Sequence, residues 1–265
     1  MKHSRRHAFG RGAQFKRRPA SAGPPRHADI EDGVILYGWH TVTAALANPA
    51  RRIRKLWATE NAVRRLADEG IGLPTEPALV RPDAIAARLS PDAVHQGLLA
   101  EADRLPSPEL EELTAAGIAL VLDQITDPHN VGAILRTAAA FAVAAIVTTA
   151  RHSPEATGVL AKSASGALEH VPIVIVQNLA RALGSLKEQG FLVVGLDSSA
   201  SEDLAAIKLS SPLALVLGAE GKGLRQGTKA ACDQLARLDL PGAIKSLNVS
   251  NAAALSLYVA TREQI

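Results

Sequence analysis

Aromatic residues make up only 3% of this 265-residue chain, so its core cannot be built around rings. Apolar residues reach 47%, and Ala, Val, Leu and Ile must supply most of the packing. The lone cysteine, Cys232, excludes an internal disulfide and fits a reducing, cytoplasmic setting. Within its helical pattern it reads as a small apolar side chain. Eight histidines are scattered, and neither CxxC nor HExxH occurs, so no metal site is expected. No apolar run approaches the roughly 18 residues that a membrane-spanning helix needs. The basic N-terminus has no apolar segment of the kind a secretory signal carries. It shares Arg and Ser enrichment with transit peptides but not their amphipathic period.

Acidic residues are absent from positions 1–28, which hold Lys2, Arg5, Arg6, Arg11, Lys16, Arg17, Arg18 and Arg26. The net charge of the whole chain is +3, so the rest is net acidic and the basic character is local. Residues 1–32 therefore read as a disordered basic arm, suited to nucleic acid through counterion release.

Residues 33–103 read as a small α/β unit. Strand signals occur at GVILYG, RIRKLWAT, PALV and HQGLLAEA, and helices at HTVTAALAN, NAVRRLADEG and 82–89. Arg51, Arg52, Arg54, Lys55, Arg64 and Arg65 make its middle basic and suggest an RNA-facing surface. Residues 104–116, with two prolines and an acidic cluster, read as a linker with at most a helical turn.

From 117 to 265 strands and helices alternate. Apolar strands are expected at IALVLD, AAIVTT, PIVIV, FLVVGLD, LALVLG and ARLDL. Helices are expected at 131–142, about 154–165, 179–189, about 221–233 and 248–263. Short continuous apolar strands between helices indicate a mostly parallel sheet with helices on both faces. Ligands of such sheets sit beyond the C-terminal strand ends.

Three polar stretches follow strands in this half. In DPHNVGAILRTAAAF, Asp127 and Pro128 suit the start of a helix, and Asn130 and Arg136 stand out from an Ala-rich surround. Six residues is about 600° of helix, so these two do not share a regular face. In LVLGAEGKGL, the glycines permit close backbone approach to a ligand. The loop matches neither G-x-x-x-x-G-K-[ST] nor G-x-G-x-x-G, so nucleotide phosphate binding through those motifs is unsupported. In LPGAIKSLNVSNAAALSLY, a Ser- and Asn-rich segment caps a nearly uncharged helix, which is expected to be buried.

Together these stretches resemble the three motifs of the SpoU/TrmH family of S-adenosylmethionine-dependent RNA ribose 2′-O-methyltransferases. YGWHTVTAAL and HQGLLAEA are similar to the small substrate-binding domain of the branch that acts on a guanosine of 23S ribosomal RNA. The resemblance implies a SPOUT-type catalytic domain with a trefoil knot, an L30e/L7Ae-like RNA-binding domain and a homodimer with sites near the subunit interface. It implies catalytic positions at Asn130, Arg136, Glu220, Ser246 and Asn248. It implies S-adenosylmethionine contacts at Gly218, Ala219, Glu220, Gly221, Leu238, Leu240, Ile244 and Leu247. Methylation of transfer RNA and non-catalytic ribosome assembly remain alternatives at this point.

Overall fold

The computed structural model describes residues 33–113, 116–151 and 158–262. The basic arm at 1–32 lies outside the described residues. Two sheets organise the chain, and their strands follow the apolar runs.

The first sheet has the order β1-β4-β2-β3. It comprises β1 (Gly33–Tyr37), β2 (Ile53–Ala58), β3 (Ala78–Leu79) and β4 (Leu98–Asp103). β4 pairs antiparallel with β1 and β2, and β3 joins β2 in parallel. Helices α1 (Trp39–Ala47) and α2 (Glu60–Asp68) cover one face through Trp39, Val42, Ala45, Ala62 and Leu66. Helix α3 (Pro82–Ala86) closes the other through Ile85 against Trp57 and Leu99. Thr59 caps α2 by accepting from the Ala62 N–H. Gly70 leaves that helix at φ +69°, a conformation costly for any residue with a Cβ.

The second sheet is all parallel, in the order β7-β6-β5-β10-β8-β11-β9. Its strands are β5 (Ile118–Asp123), β6 (Ala145–Thr149), β7 (Ile173–Val176), β8 (Leu192–Leu196), β9 (Glu202–Asp203), β10 (Leu213–Gly218) and β11 (Gln234–Arg237). Alternation along the central strands splits the core in two. Leu120, Leu122, Leu215 and Leu217 face α4 (Pro128–Ala140), α5 (Gly158–Ala164) and α8 (Val249–Thr261). Ala119, Val121, Ala214 and Val216 face α6 (Leu179–Glu188), next to which α7 (Gln226–Ala231) packs.

Four sequence expectations need correction. The strand expected at ARLDL lies earlier, at Gln234–Arg237, because pairing with β8 and β9 uses Gln234 to Arg237 and releases Leu238 and Leu240 to a loop. The helix expected at 221–233 shrinks to Gln226–Ala231, because Gly221 and Gly223 take positive φ and belong to a turn. The 104–116 segment is docked. The Ser107 hydroxyl donates to the Ile173 carbonyl and accepts from the Ile175 N–H, and Leu110 and Leu113 are buried on the second sheet. Arg51 does not face RNA. Its side chain is 3% exposed and pairs with Glu169 across the junction of the two units at 2.7 Å.

That junction is closely packed. Asn48 Nδ2 donates to Glu169 Oε2 at 2.8 Å, Arg51 Nη1 to the Asp103 carbonyl at 2.7 Å, and the Thr41 hydroxyl to the Ala161 carbonyl. Glu169 thus meets guanidinium and amide donors together, which a buried carboxylate needs. No helix among the described residues is long and apolar enough to cross a membrane.

Candidate active site

The C-terminal ends of β8, β10 and β11 open on a cleft of about 350 Å³. That volume lies within the range of small-molecule sites, about 300–1,000 Å³. Parallel strands place such a cleft at their carboxyl ends, where loops are free of the ladder.

One wall is the loop after β10. A Cβ on Gly218 would lie 2.5 Å from the Gly223 carbonyl oxygen, so only glycine lets the chain fold back here. The Gly223 N–H donates to the Ala219 carbonyl at 2.8 Å and closes the turn. Glu220 stands at its tip. The opposite wall is residues 238–247, which form neither helix nor strand, followed by α8. Asn248 caps α8 by accepting from the Ser250 N–H at 2.9 Å.

The tips meet through side chains. Glu220 Oε1 accepts from Asn248 Nδ2 at 2.6 Å, from the Val249 N–H at 3.1 Å and from Asn130 Nδ2 at 3.3 Å. Asn248 Nδ2 also donates to Asn130 Oδ1 at 3.0 Å. Asn130 sits in the first turn of α4, which Asp127 and Pro128 start. Glu220 precedes α7 in sequence but does not cap it. It serves instead the first turn of α8, where negative charge also favours the helix dipole.

Gly218, Ala219, Glu220, Gly221, Leu238, Leu240 and Leu247 line the cleft, as does Ser246. Ile244 does not. The residue is 77% exposed, within a segment, 241–246, that is exposed throughout. Arg136 also stands apart: further along α4 it is exposed, and among the described residues it forms no hydrogen bond or ion pair. The structure therefore joins Asn130, Glu220 and Asn248 but leaves Arg136 outside that cluster.

A family model for SpoU rRNA methylases matches residues 117–258, and one for the substrate-binding domain of RNA 2′-O ribose methyltransferases matches 35–108. The chain belongs to the SpoU rRNA methylase family. It is 38% identical over 240 residues to the 23S rRNA (guanosine-2′-O-)-methyltransferase RlmB of Pseudomonas putida, covering 86% of this chain and 96% of that one. Likeness to RlmB of Ralstonia nicotianae is similar, 38% over 244 residues, 87% of this chain and 96% of the relative. A TrmH-family structure from Porphyromonas gingivalis superposes with a TM-score of 0.75 at 27% identity, covering 88% of this chain and 91% of that chain. The SpoU methyltransferase AviRb of Streptomyces viridochromogenes, solved with AdoMet, gives the same TM-score at 21% identity, with the same coverages, and so shares the fold.

Against this SpoU frame, sequence reasoning missed Asp197, Ser198 and Arg237, which also line the cleft. Asp197 directly follows β8, accepts from the Ser199 N–H and hydroxyl, and pairs with Lys229. Burial alone would raise its carboxyl. The Lys229 ammonium and the two Ser199 donors outweigh this and bring it down to about 2. Arg237 donates to the Ala200 carbonyl at 3.0 Å and so holds the loop that Asp197 begins. The available signal was an aspartate at the C-terminal end of a parallel strand, in FLVVGLD. Among the described residues no group of three or more His, Cys, Asp or Glu side chains is placed to hold a metal ion.

Proposed function

We propose that the protein transfers a methyl group from S-adenosylmethionine to the ribose 2′-hydroxyl of a guanosine in 23S ribosomal RNA. The observation that carries this reading is the Asn130–Glu220–Asn248 cluster, which ties three sequence-distant motifs together at the mouth of one cleft. Relatives named for this reaction are matched over nearly their full length, and residues 33–103 fit the substrate-binding role of their family model.

The cleft suits the cofactor. Leu238, Leu240 and Leu247 offer apolar contact to an adenine ring, and the backbone at 220–221 and 238–247, outside the strands, offers donors and acceptors to its edge. When bound, S-adenosylmethionine supplies a methyl on an electrophilic sulfonium. The protein must then align the 2′-oxygen with that carbon and favour loss of the hydroxyl proton. Ser246 and Asn248 orient the ribose. Asn130 and Glu220 hold the loops. Arg136 binds the neighbouring phosphate and stabilises developing alkoxide charge; a guanidinium stays protonated and is a poor base.

The reading includes a homodimer with sites near the interface, and a trefoil knot at the cofactor loops. Helix α8, expected to be buried throughout, instead leaves Leu255 43% and Tyr258 56% exposed in the protomer, a face that a second subunit would cover. It also places the protein in the cytoplasm, with ribosomal RNA. Mapping ribose methylation by mass spectrometry in 23S ribosomal RNA, with and without the gene, tests the reading. Loss of one 2′-O-methylguanosine is expected, and an unchanged map would refute it.

A further inference from the structure

A second cavity, of about 550 Å³, opens on the same C-terminal rim of the large sheet. Its described lining includes Thr149 at the end of β6, Arg151, Gln177 before α6, Arg225 and Thr228. In strand order it lies over β6 and β7, whereas the cleft lies over β10, β8 and β11. With about 4.8 Å between neighbouring strands, the two are about 10–15 Å apart along one rim.

The charges of this cavity are one-sided. No carboxylate is among its described lining residues. Arg225 is held from behind. Its Nε donates to Asp123 Oδ1 at 2.7 Å and its N–H to Asp123 Oδ2 at 2.9 Å, and the Asp123 side chain is fully buried. That anchor fixes the guanidinium and leaves both Nη groups without a partner among the described residues. Arg151 is exposed and likewise unpaired among them. Two cations directed at one polar cavity repel each other unless an anion lies between them. A fixed planar guanidinium beside a second one matches the geometry of phosphate oxygens. Asp123 pairs with Gly218 at the end of β10 and Arg225 follows the Glu220 loop in sequence, so an anion here neighbours the reaction site.

We propose that this cavity binds a backbone phosphate of the substrate RNA, close to the nucleotide whose ribose enters the cleft. This rests on the RNA-methyltransferase reading above. The cavity takes a phosphodiester through charge and shape and reads no base, so it sets position along the strand.

The test uses the full chain and a fluorescein-labelled transcript of 23S ribosomal RNA, with affinity followed by anisotropy across a chloride series. Arg151→Ala is expected to weaken binding about 3- to 10-fold. It should also lower the slope of log K against log salt by about 0.7–0.9, the signature of one lost phosphate contact. Arg225→Ala should do the same, and Arg151→Ala, at an exposed position, keeps the test valid if Arg225→Ala fails to fold. Lys208→Ala, an exposed lysine outside the cavity, should leave the slope unchanged. A slope unaltered in Arg151→Ala, or equally lowered in Lys208→Ala, overturns the proposal. Transfer of labelled methyl by the wild type to the same transcript is measured in parallel. If transfer proceeds while the slopes do not move, the phosphate site falls and the enzymatic reading stands. If the slopes move but no methyl is transferred, the reverse holds.

Discussion

Asn248 donates to Glu220 at 2.6 Å across 28 residues of sequence, and the same Glu220 oxygen receives Asn130 from 90 residues away. One carboxylate oxygen thus gathers the starts of α4 and α8 against the turn after β10. Glu220→Ala removes that acceptor. Hydrogen bonds to a charged group contribute about 1.5–3 kcal/mol, so S-adenosylmethionine affinity should fall about 10- to 100-fold by calorimetry. Glu220→Gln keeps an oxygen that can accept from Asn248 and should retain most of the affinity. Equal losses in both variants would show that charge matters here, and not the meeting of the loops.

Arg136 contrasts with that cluster, since among the described residues nothing pairs with its guanidinium. Replacing it should therefore change stability by no more than about 0.5 kcal/mol. Methyl transfer should nevertheless fall about 10²- to 10³-fold in Arg136→Ala, the loss expected when a donor to developing charge is removed. Arg136→Lys keeps charge without the planar fork and should recover only part of it. Binding of the methyl donor should be unchanged in both. Wild-type turnover in Arg136→Lys would contradict the assigned role.

Much of this architecture was legible because a parallel sheet covered on both faces writes its strands as unbroken apolar runs. IALVLD and LALVLG are such runs, and they pair residue for residue. Legibility failed where partners are remote. LDL continues the apolar pattern of β11, yet Leu238 and Leu240 line the cleft, because no strand remains for them to join. Arg51 sits in a basic stretch with Arg52 and Arg54, and only the distant Glu169 distinguishes it from a solvated neighbour. Leu110 and Leu113 lie in a segment that looks like a spacer by composition, and they are buried because α6 and the large sheet leave room for them. At the site, the family resemblance named Asn130, Glu220 and Asn248 among its positions, and these three side chains meet in the fold. Asp197 escaped because an aspartate after a strand also fits an ordinary turn.

Asp197 makes the cleft wall sensitive to acid. Its folded carboxyl, at about 2, lies below its ordinary value of 3.8. A depressed carboxyl stabilises the fold fully above the unfolded value and loses that contribution as pH falls through the folded one. Asp197→Asn should therefore melt below the wild type from pH 5 to 8. The gap should narrow between about pH 4 and pH 2. Thermal melts across that series provide the check, and a gap that stays constant down to pH 2 would exclude the Lys229 pair as its source.

The Arg51–Glu169 pair, with side chains 3% and 2% exposed, joins the small unit to the large one and bears on how RNA is presented to the cleft. Removing one partner strands a buried charge, at a cost of about 3–5 kcal/mol. Glu169→Ala and Arg51→Ala should each lower the urea midpoint and open the chain around Ser107 to limited proteolysis, because Ser107 lines the same cavity as Arg51 and Glu169. The double variant Arg51→Met, Glu169→Leu should regain most of that stability, since apolar side chains of similar volume remove both desolvation costs. If the double variant is stable yet methylates ribosomal RNA poorly, the ion pair sets the angle between the units. If it is both stable and fully active, packing alone sets that angle. If either single variant is as stable as the wild type, the junction is not the contact that holds the two units together.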